Sequence, residues 1–291
     1  MNYKPFVEEK FKRINKKLNF QRWFYSIIGI ITISVIILLT LEQIRDMKKE
    51  NNEFTICLLL IIHSVYVLIS ILSTAIFCRI TNAVLTTLTI ILLCAYTGVH
   101  FYIRFSLYQN HPNEDFDLIT VRLGFLLILL ILLLPWTNVM VHKYQMNILP
   151  DKGMINPRST TFSWFLYLDF MLISSLLILN IRNQLDFGLY EILLLSIGIP
   201  LILLWLCMGM LMANNKTPHR VFSTIFYILS LIHIIHLGCI IYRAISEYNT
   251  LLKINESTLF PLLIIIFICS GANILIHTLT IIISFILINN S

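Results

Sequence analysis

Apolar runs of about 20 residues recur along the chain and are separated by short polar segments. An α-helix rises about 1.5 Å per residue, so each run is long enough to cross the roughly 30 Å hydrocarbon layer of a bilayer. The pattern therefore predicts eight membrane-spanning helices, with short loops that make sequence neighbours antiparallel. The approximate spans are 23–41, 54–78, 82–103, 119–141, 163–181, 189–213, 220–242 and 258–288.

A polar linker divides the chain into two halves of similar plan. Trp23, Ser34 and Gln43 recur as Trp164, Ser175 and Gln184, each at an offset of 141 residues. Chance matches are common in a chain so rich in isoleucine and leucine, so only polar and tryptophan positions carry weight. We predict an all-α, polytopic helical membrane protein of two parallel tandem four-helix units. Its predicted parts are a basic N-terminal segment (1–22), a first unit (23–141), a cytoplasmic linker (142–162) and a second unit (163–291).

Composition agrees with a membrane protein. Hydrophobic residues form 58% of the chain and charged residues 12%, whereas charged residues approach about a quarter of a soluble domain. The six cysteines lie within or beside apolar runs, which favours packing roles over disulfides. Since the chain has no phosphate-binding glycine loop and no nucleophile motif, we predict neither an enzyme nor a bound cofactor or metal.

The N-terminal segment holds much of the excess positive charge. Val7, Phe11, Ile14 and Leu18 follow the spacing of one helical face. This pattern predicts an amphipathic helix on anionic lipid headgroups. The alternative is a polar tail whose charge only sets the topology. The basic residues expected at the membrane surface are Lys10, Lys12, Arg13, Lys16 and Lys17.

Basic residues also predict the orientation. One set of flanking segments, which includes the N-terminus and the linker, holds 13 lysines and arginines, and the opposite set holds eight. The positive-inside rule places the richer set, and both termini, in the cytoplasm. The sequon at Asn255 then faces the other side as a candidate glycosylation site. The first apolar run should remain as a signal anchor.

Ionisable residues inside apolar runs are the main functional clue, because placing one at the centre of a bilayer costs about 2.5–3.5 kcal/mol on insertion scales. Asp169 is predicted about one and a half turns into the fifth span. Most of the histidines are predicted in the outer half of the bilayer, with His277 deeper. These residues indicate an ion or proton site, or alternatively polar helix packing. The candidate set is Asp169, His63, His233, His236, Asn273 and His277. Arg122 and Glu191, near the outer interface, are predicted to extend towards the headgroups.

Three functions fit these patterns. The first is a membrane scaffold or trafficking protein that organises lipids or other membrane proteins, similar in plan to two joined tetraspan-type units. The second is a transporter or channel with a polar site between the halves. The third is a seven-span chemosensory-type receptor, which the count of eight spans disfavours. The expected partners are the lipid bilayer and other membrane proteins, and no nucleic acid.

Overall fold

The computed structural model describes residues 4–46, 53–77, 80–108, 115–145, 157–180, 189–214, 220–254 and 260–289. Within these ranges the chain forms eight α-helices and no strand. The helices are α1 (Lys4–Asp46), α2 (Glu53–Phe77), α3 (Ile80–Tyr108), α4 (Asp115–Gln145), α5 (Pro157–Leu179), α6 (Leu189–Asn214), α7 (Arg220–Ile254) and α8 (Phe260–Asn289).

Each of these helices contains a stretch long and apolar enough to cross a membrane, which confirms the predicted multi-pass helical architecture. The stretches are Trp23–Arg45, Phe54–Ile76, Asn82–Tyr102, Ile119–Val139, Ser159–Leu179, Leu195–Ala213, Arg220–Ser246 and Leu263–Ile288.

The helices pack as two four-membered rings with the same order of neighbours. In the first unit, α1 contacts α2 and α4, and α3 closes the ring by contacting α2 and α4. In the second unit, α5 contacts α6 and α8, and α7 likewise contacts α6 and α8. Neighbours are antiparallel: Ser159 at the start of α5 contacts Ala213 near the end of α6, and Leu177 contacts Gly198. With four spans in each unit, the two units run in the same direction.

The units meet along a seam in which α2 and α3 of the first unit face α5 and α8 of the second. Helix α5 is the central element, because 67% of its span is buried, against 28% of the spans of α1, α6 and α8. The apolar side chains left exposed on the outer helices suit a hydrocarbon environment, where no water competes for burial. The seam therefore places α5 and α8 in contact with helices of both units.

Candidate functional site

Asp169 lies at the midpoint of the α5 span. Ten residues separate it from Ser159 and ten from Leu179, the two ends of that span. The sequence places it about one and a half turns into a span predicted to begin near residue 163, whereas the apolar stretch of α5 begins at Ser159. The side chain is fully buried, with 0% exposure. Its carboxyl group thus sits as far from either end of the span as the helix permits.

Helix α8 supplies partners for both oxygens of this carboxyl group. The Nδ1 atom of His277 lies 2.7 Å from Asp169 Oδ2, and the Asn273 amide donates to Asp169 Oδ1 at 3.1 Å. Asn273 and His277 are four residues apart, so they occupy one face of α8 about one turn apart. The carboxyl group is consequently fixed between two successive turns of the facing helix.

A second histidine approaches from α7. The ring centroids of His233 and His277 are 5.1 Å apart. Thirteen residues separate His233 from each end of the Arg220–Ser246 stretch, so it lies at the middle of that stretch, beside His277. His236, one turn further along α7, has its ring centroid 6.1 Å from that of His233 and packs against Gly198 of α6.

Trp205 of α6 covers the remaining side of this group. Its ring centroid lies 5.7 Å from that of His277 and 6.3 Å from that of His233. The indole Nε1 donates to Ser230 Oγ at 2.9 Å, which satisfies the polar atom of a buried tryptophan. Sequence reasoning missed Trp205. A tryptophan in the middle of an apolar run, away from the interface that tryptophan prefers, was the available signal.

We call Asp169, Asn273, His277, His233 and Trp205 the membrane-centre cluster. All five are buried and come from the four helices of the second unit. Among the described residues, the Nε2 atoms of His277 and His233 have no hydrogen-bond partner. Each imidazole can therefore still accept or donate a proton at that atom. The described residues contain no group of three His, Cys, Asp or Glu side chains arranged to hold a metal ion.

His63 belongs to a different place. Its Nε2 lies 2.9 Å from Ser175 Oγ, and its Nδ1 lies 3.0 Å from the Leu59 carbonyl oxygen. The contact with Ser175 joins α2 to α5 across the seam. Beside it, the Tyr96 hydroxyl lies 3.1 Å from Cys269 Sγ and joins α3 to α8. The predicted site residues are thus divided between the seam and the second unit.

Other predicted positions cannot be placed in the same way. The sequon at Asn255 and the middle of the linker, residues 146–156, lie outside the described residues. Helix α1 includes the basic N-terminal segment from Lys4 onward. The side chains of its lysines and arginine, Lys10, Lys12, Arg13, Lys16 and Lys17, lie outside the part of the chain described at side-chain level.

The membrane-centre cluster can hold and pass protons, because it joins a carboxyl group to two imidazoles within one buried group. Function has to be argued from this geometry. Comparison of the chain with protein-family models, with curated proteins and with solved structures gives no match.

Proposed function

We propose that the protein is a proton-coupled membrane transporter whose proton-binding site is the Asp169–His277 pair. The observation that carries this proposal is a 2.7 Å contact between a carboxyl group and an imidazole, both buried at mid-span. An intramembrane ionisable residue is costly, and such groups in membrane helices mark proton relays in pumps and transporters. The proposed step is proton transfer alone, with no covalent chemistry.

The seam offers a way to couple the site to movement. Across the seam the Tyr96 hydroxyl of α3 lies 3.1 Å from Cys269 Sγ of α8, and Cys269 lies one turn from Asn273, whose amide donates to Asp169. Rocking of the first unit against α5 and α8 would therefore disturb the pairing of Asp169 directly. Transporters built from two repeats commonly alternate access by such motion. In this proposal the described structure, with the cluster fully enclosed, is an occluded state.

The test is proton flux into liposomes that contain the purified protein and an internal pH-sensitive dye. An inward proton gradient is imposed with panels of amino acids, sugars, nucleosides and inorganic ions inside the vesicles. We expect at least one panel member to accelerate acidification over protein-free vesicles, and Asp169→Asn to abolish the acceleration. The matched control is Asp117→Asn, which changes an exposed carboxyl group on α4 and should leave flux unchanged. Equal flux in wild type and Asp169→Asn would contradict the proposal.

A scaffold that organises partner membrane proteins is the second candidate. It is supported by the seam, where Tyr96 and Cys269 are buried against each other and fill the space that a path between the units would need. For a scaffold, Asp169→Asn should leave both the flux and the set of proteins cross-linked within the membrane unchanged. Loss of flux in the variant with an unaltered cross-linking pattern would instead favour transport.

Both candidates share a proposed orientation with the N-terminal segment on the anionic cytoplasmic leaflet. In this orientation the sequon at Asn255 faces the opposite side, and a second sequon, Asn215-Lys216-Thr217, faces the cytoplasm. Insertion into microsomes should glycosylate only the former, and Asn255→Gln should remove the modification. Asn255 lies close to the last span, which hinders glycosylation. A version with a short polar insertion after residue 257 should therefore be glycosylated at Asn255 more completely than the wild type. Glycosylation at Asn215 instead would show that the protein has the opposite orientation.

A further inference from the structure

A second buried charge lies in the first unit. Arg122 is three residues inside the Ile119–Val139 span of α4, close to the membrane end as the sequence predicts. The predicted direction of its side chain is wrong, however. Arg122 is only 1% exposed, because its side chain turns inward among α1 and α2 and does not extend towards the headgroups.

The guanidinium group of Arg122 is poorly satisfied by the protein. Its Nη1 atom lies 3.5 Å from Thr40 Oγ1 and 4.0 Å from Cys57 Sγ, whereas a charge-assisted N–H···O bond is about 2.7–2.9 Å. Among the side chains that the structure describes, its Nε and Nη2 atoms have no hydrogen-bond partner. The carboxylates described on α1 and α4, Glu42 and Asp117, are exposed side chains. A buried charge without an opposite charge is strongly destabilising.

Gln43 adds a further unused donor at the same place. It lies one turn beyond Thr40 on α1 and is only 2% exposed. Its Oε1 accepts from Cys57 Sγ at 3.4 Å, the same sulfur that Arg122 approaches, while its Nε2 has no partner among the described residues. Both side chains therefore meet at Cys57 Sγ, and among the described residues two guanidinium nitrogens and one amide nitrogen of this pair keep their hydrogens unused. All of them are donors, so what is missing is an acceptor.

We propose that these residues form an anion-binding site. The ligand is a single anionic group, either a free ion such as chloride or carboxylate, or the phosphate of a lipid headgroup. A guanidinium group suits carboxylate and phosphate oxygens because it can offer two parallel N–H donors. The depth of the site also fits, since Arg122 and Cys57 lie three residues from the ends of their spans. A headgroup, or an ion from that aqueous face, reaches this level.

The experiment measures thermal unfolding of the full-length protein in detergent by tryptophan fluorescence, starting in sodium methanesulfonate, whose anion carries neither a carboxylate nor a phosphate group. One arm titrates chloride, acetate or phosphate at constant ionic strength. The other arm adds phosphatidylglycerol, with phosphatidylcholine as its neutral counterpart. Because a ligand that binds only the folded state raises its stability, we expect a saturable rise in the unfolding midpoint. A response in the first arm identifies a free ion, and a response only to phosphatidylglycerol identifies a lipid headgroup.

Arg122→Gln should lower the apparent affinity for the active anion at least about tenfold, the loss expected for a hydrogen bond to a charged group. Gln43→Met keeps the charge and removes one neutral donor, so its affinity should fall about twofold to tenfold. Arg220→Gln removes an exposed arginine from α7 and should respond as wild type does.

The proposal is overturned if no anion gives wild-type protein a saturable rise, or if Arg122→Gln gives the same response curve as wild type. If Arg122→Gln does not fold, the titrations of the wild type and of Gln43→Met still test the proposal. An unaltered curve for Gln43→Met would then count against the site. None of these results depends on proton transport, because the site lies in the other unit and at another depth.

Discussion

The contact between Asp169 and His277 should carry a measurable coupling free energy. Asp169→Ala leaves His277 Nδ1 and the Asn273 amide without their acceptor. At about 1–3 kcal/mol for each of these two buried groups left unsatisfied, we expect this substitution to lower the free energy of unfolding by about 2–6 kcal/mol. His277→Ala should destabilise in the same range, because it removes a partner of the carboxyl group and leaves space beside Trp205.

The double substitution Asp169→Ala/His277→Ala should cost less than the sum of the two single substitutions. A hydrogen bond to a charged group contributes about 1.5–3 kcal/mol in soluble proteins, but cycles in a helical membrane protein average about 0.6 kcal/mol with a maximum of about 1.7. This contact is short, at 2.7 Å, and both side chains are buried. We therefore expect a coupling of about 1–2 kcal/mol, at the upper end of the membrane range.

Asp169→Asn separates the hydrogen bonds from the charge. Its Oδ1 can still accept from Asn273, and its new Nδ2–H can donate to His277 Nδ1. The loss of stability should therefore stay below about 1 kcal/mol, the value of a neutral hydrogen bond, although proton transfer is lost. This variant keeps the fold while it removes the proposed proton carrier, and it is therefore the one chosen for the flux assay.

The assay is reversible unfolding in mixed micelles, with the denaturing detergent titrated and helicity followed by circular dichroism. All four proteins of the cycle are measured in the same lipid and detergent. A coupling below about 0.3 kcal/mol, which is within the additivity seen for independent sites, would refute the argument. The 2.7 Å contact would then contribute no more than ordinary packing.

The same assay tests two further substitutions. Gly209→Ala should destabilise by about 1–2 kcal/mol, because the new Cβ would lie 2.6 Å from the methyl carbons of Leu166 in the packed α5–α6 contact. The control, Gly238→Ala, places its Cβ in open space and should be neutral or stabilising by up to about 1 kcal/mol. Equal changes in stability for the two variants would contradict this prediction. Trp205→Phe should lower stability by about 1–2 kcal/mol through loss of the bond to Ser230 and of ring contact, and an unchanged unfolding curve would show that this bond contributes nothing.

Apolar run length was enough to predict the helices, because a span of hydrocarbon fixes how many apolar residues are needed. The start of α5 shows where this reasoning fails. Residues 159–163 read as a polar loop, but the Ser163 hydroxyl donates to the Ser159 carbonyl at 2.9 Å, and Ser159 contacts Ala213 of α6. Hydroxyl groups satisfied in this way tolerate a helix and a membrane. The apolar stretch of α5 therefore begins at Ser159, and Asp169 lies at its centre.

The partners of the polar residues were out of reach of the sequence. Asp169 and His277 are 108 positions apart, and their contact depends on which face α8 turns to α5. Periodicity gives little help, because helices that are apolar all round carry no polar stripe to mark the inward face. For the same reason the sequence could not predict the direction of the Arg122 side chain. The sequence gives its depth, but only packing against α1 and α2 decides that it points inward.

The two units share one helix arrangement but carry different buried charges. The second unit has Asp169 at the middle of its span, and the first unit has Arg122 near the end of its span. At the predicted repeat offset of 141 residues, Asp169 aligns with Ile28, which carries no ionisable group. This division follows from the chemistry of the side chains. Asp169 and His277 can neutralise each other or share one proton, so they can remain enclosed at mid-span. An arginine keeps its proton in proteins, so the charge of Arg122 has to be balanced by an opposite charge, which in the proposed site is a bound anion. Arg122 lies three residues from the end of its span, where an anion from the aqueous side or a lipid headgroup can reach it. An arginine at the centre of the membrane would lie too deep for such a ligand.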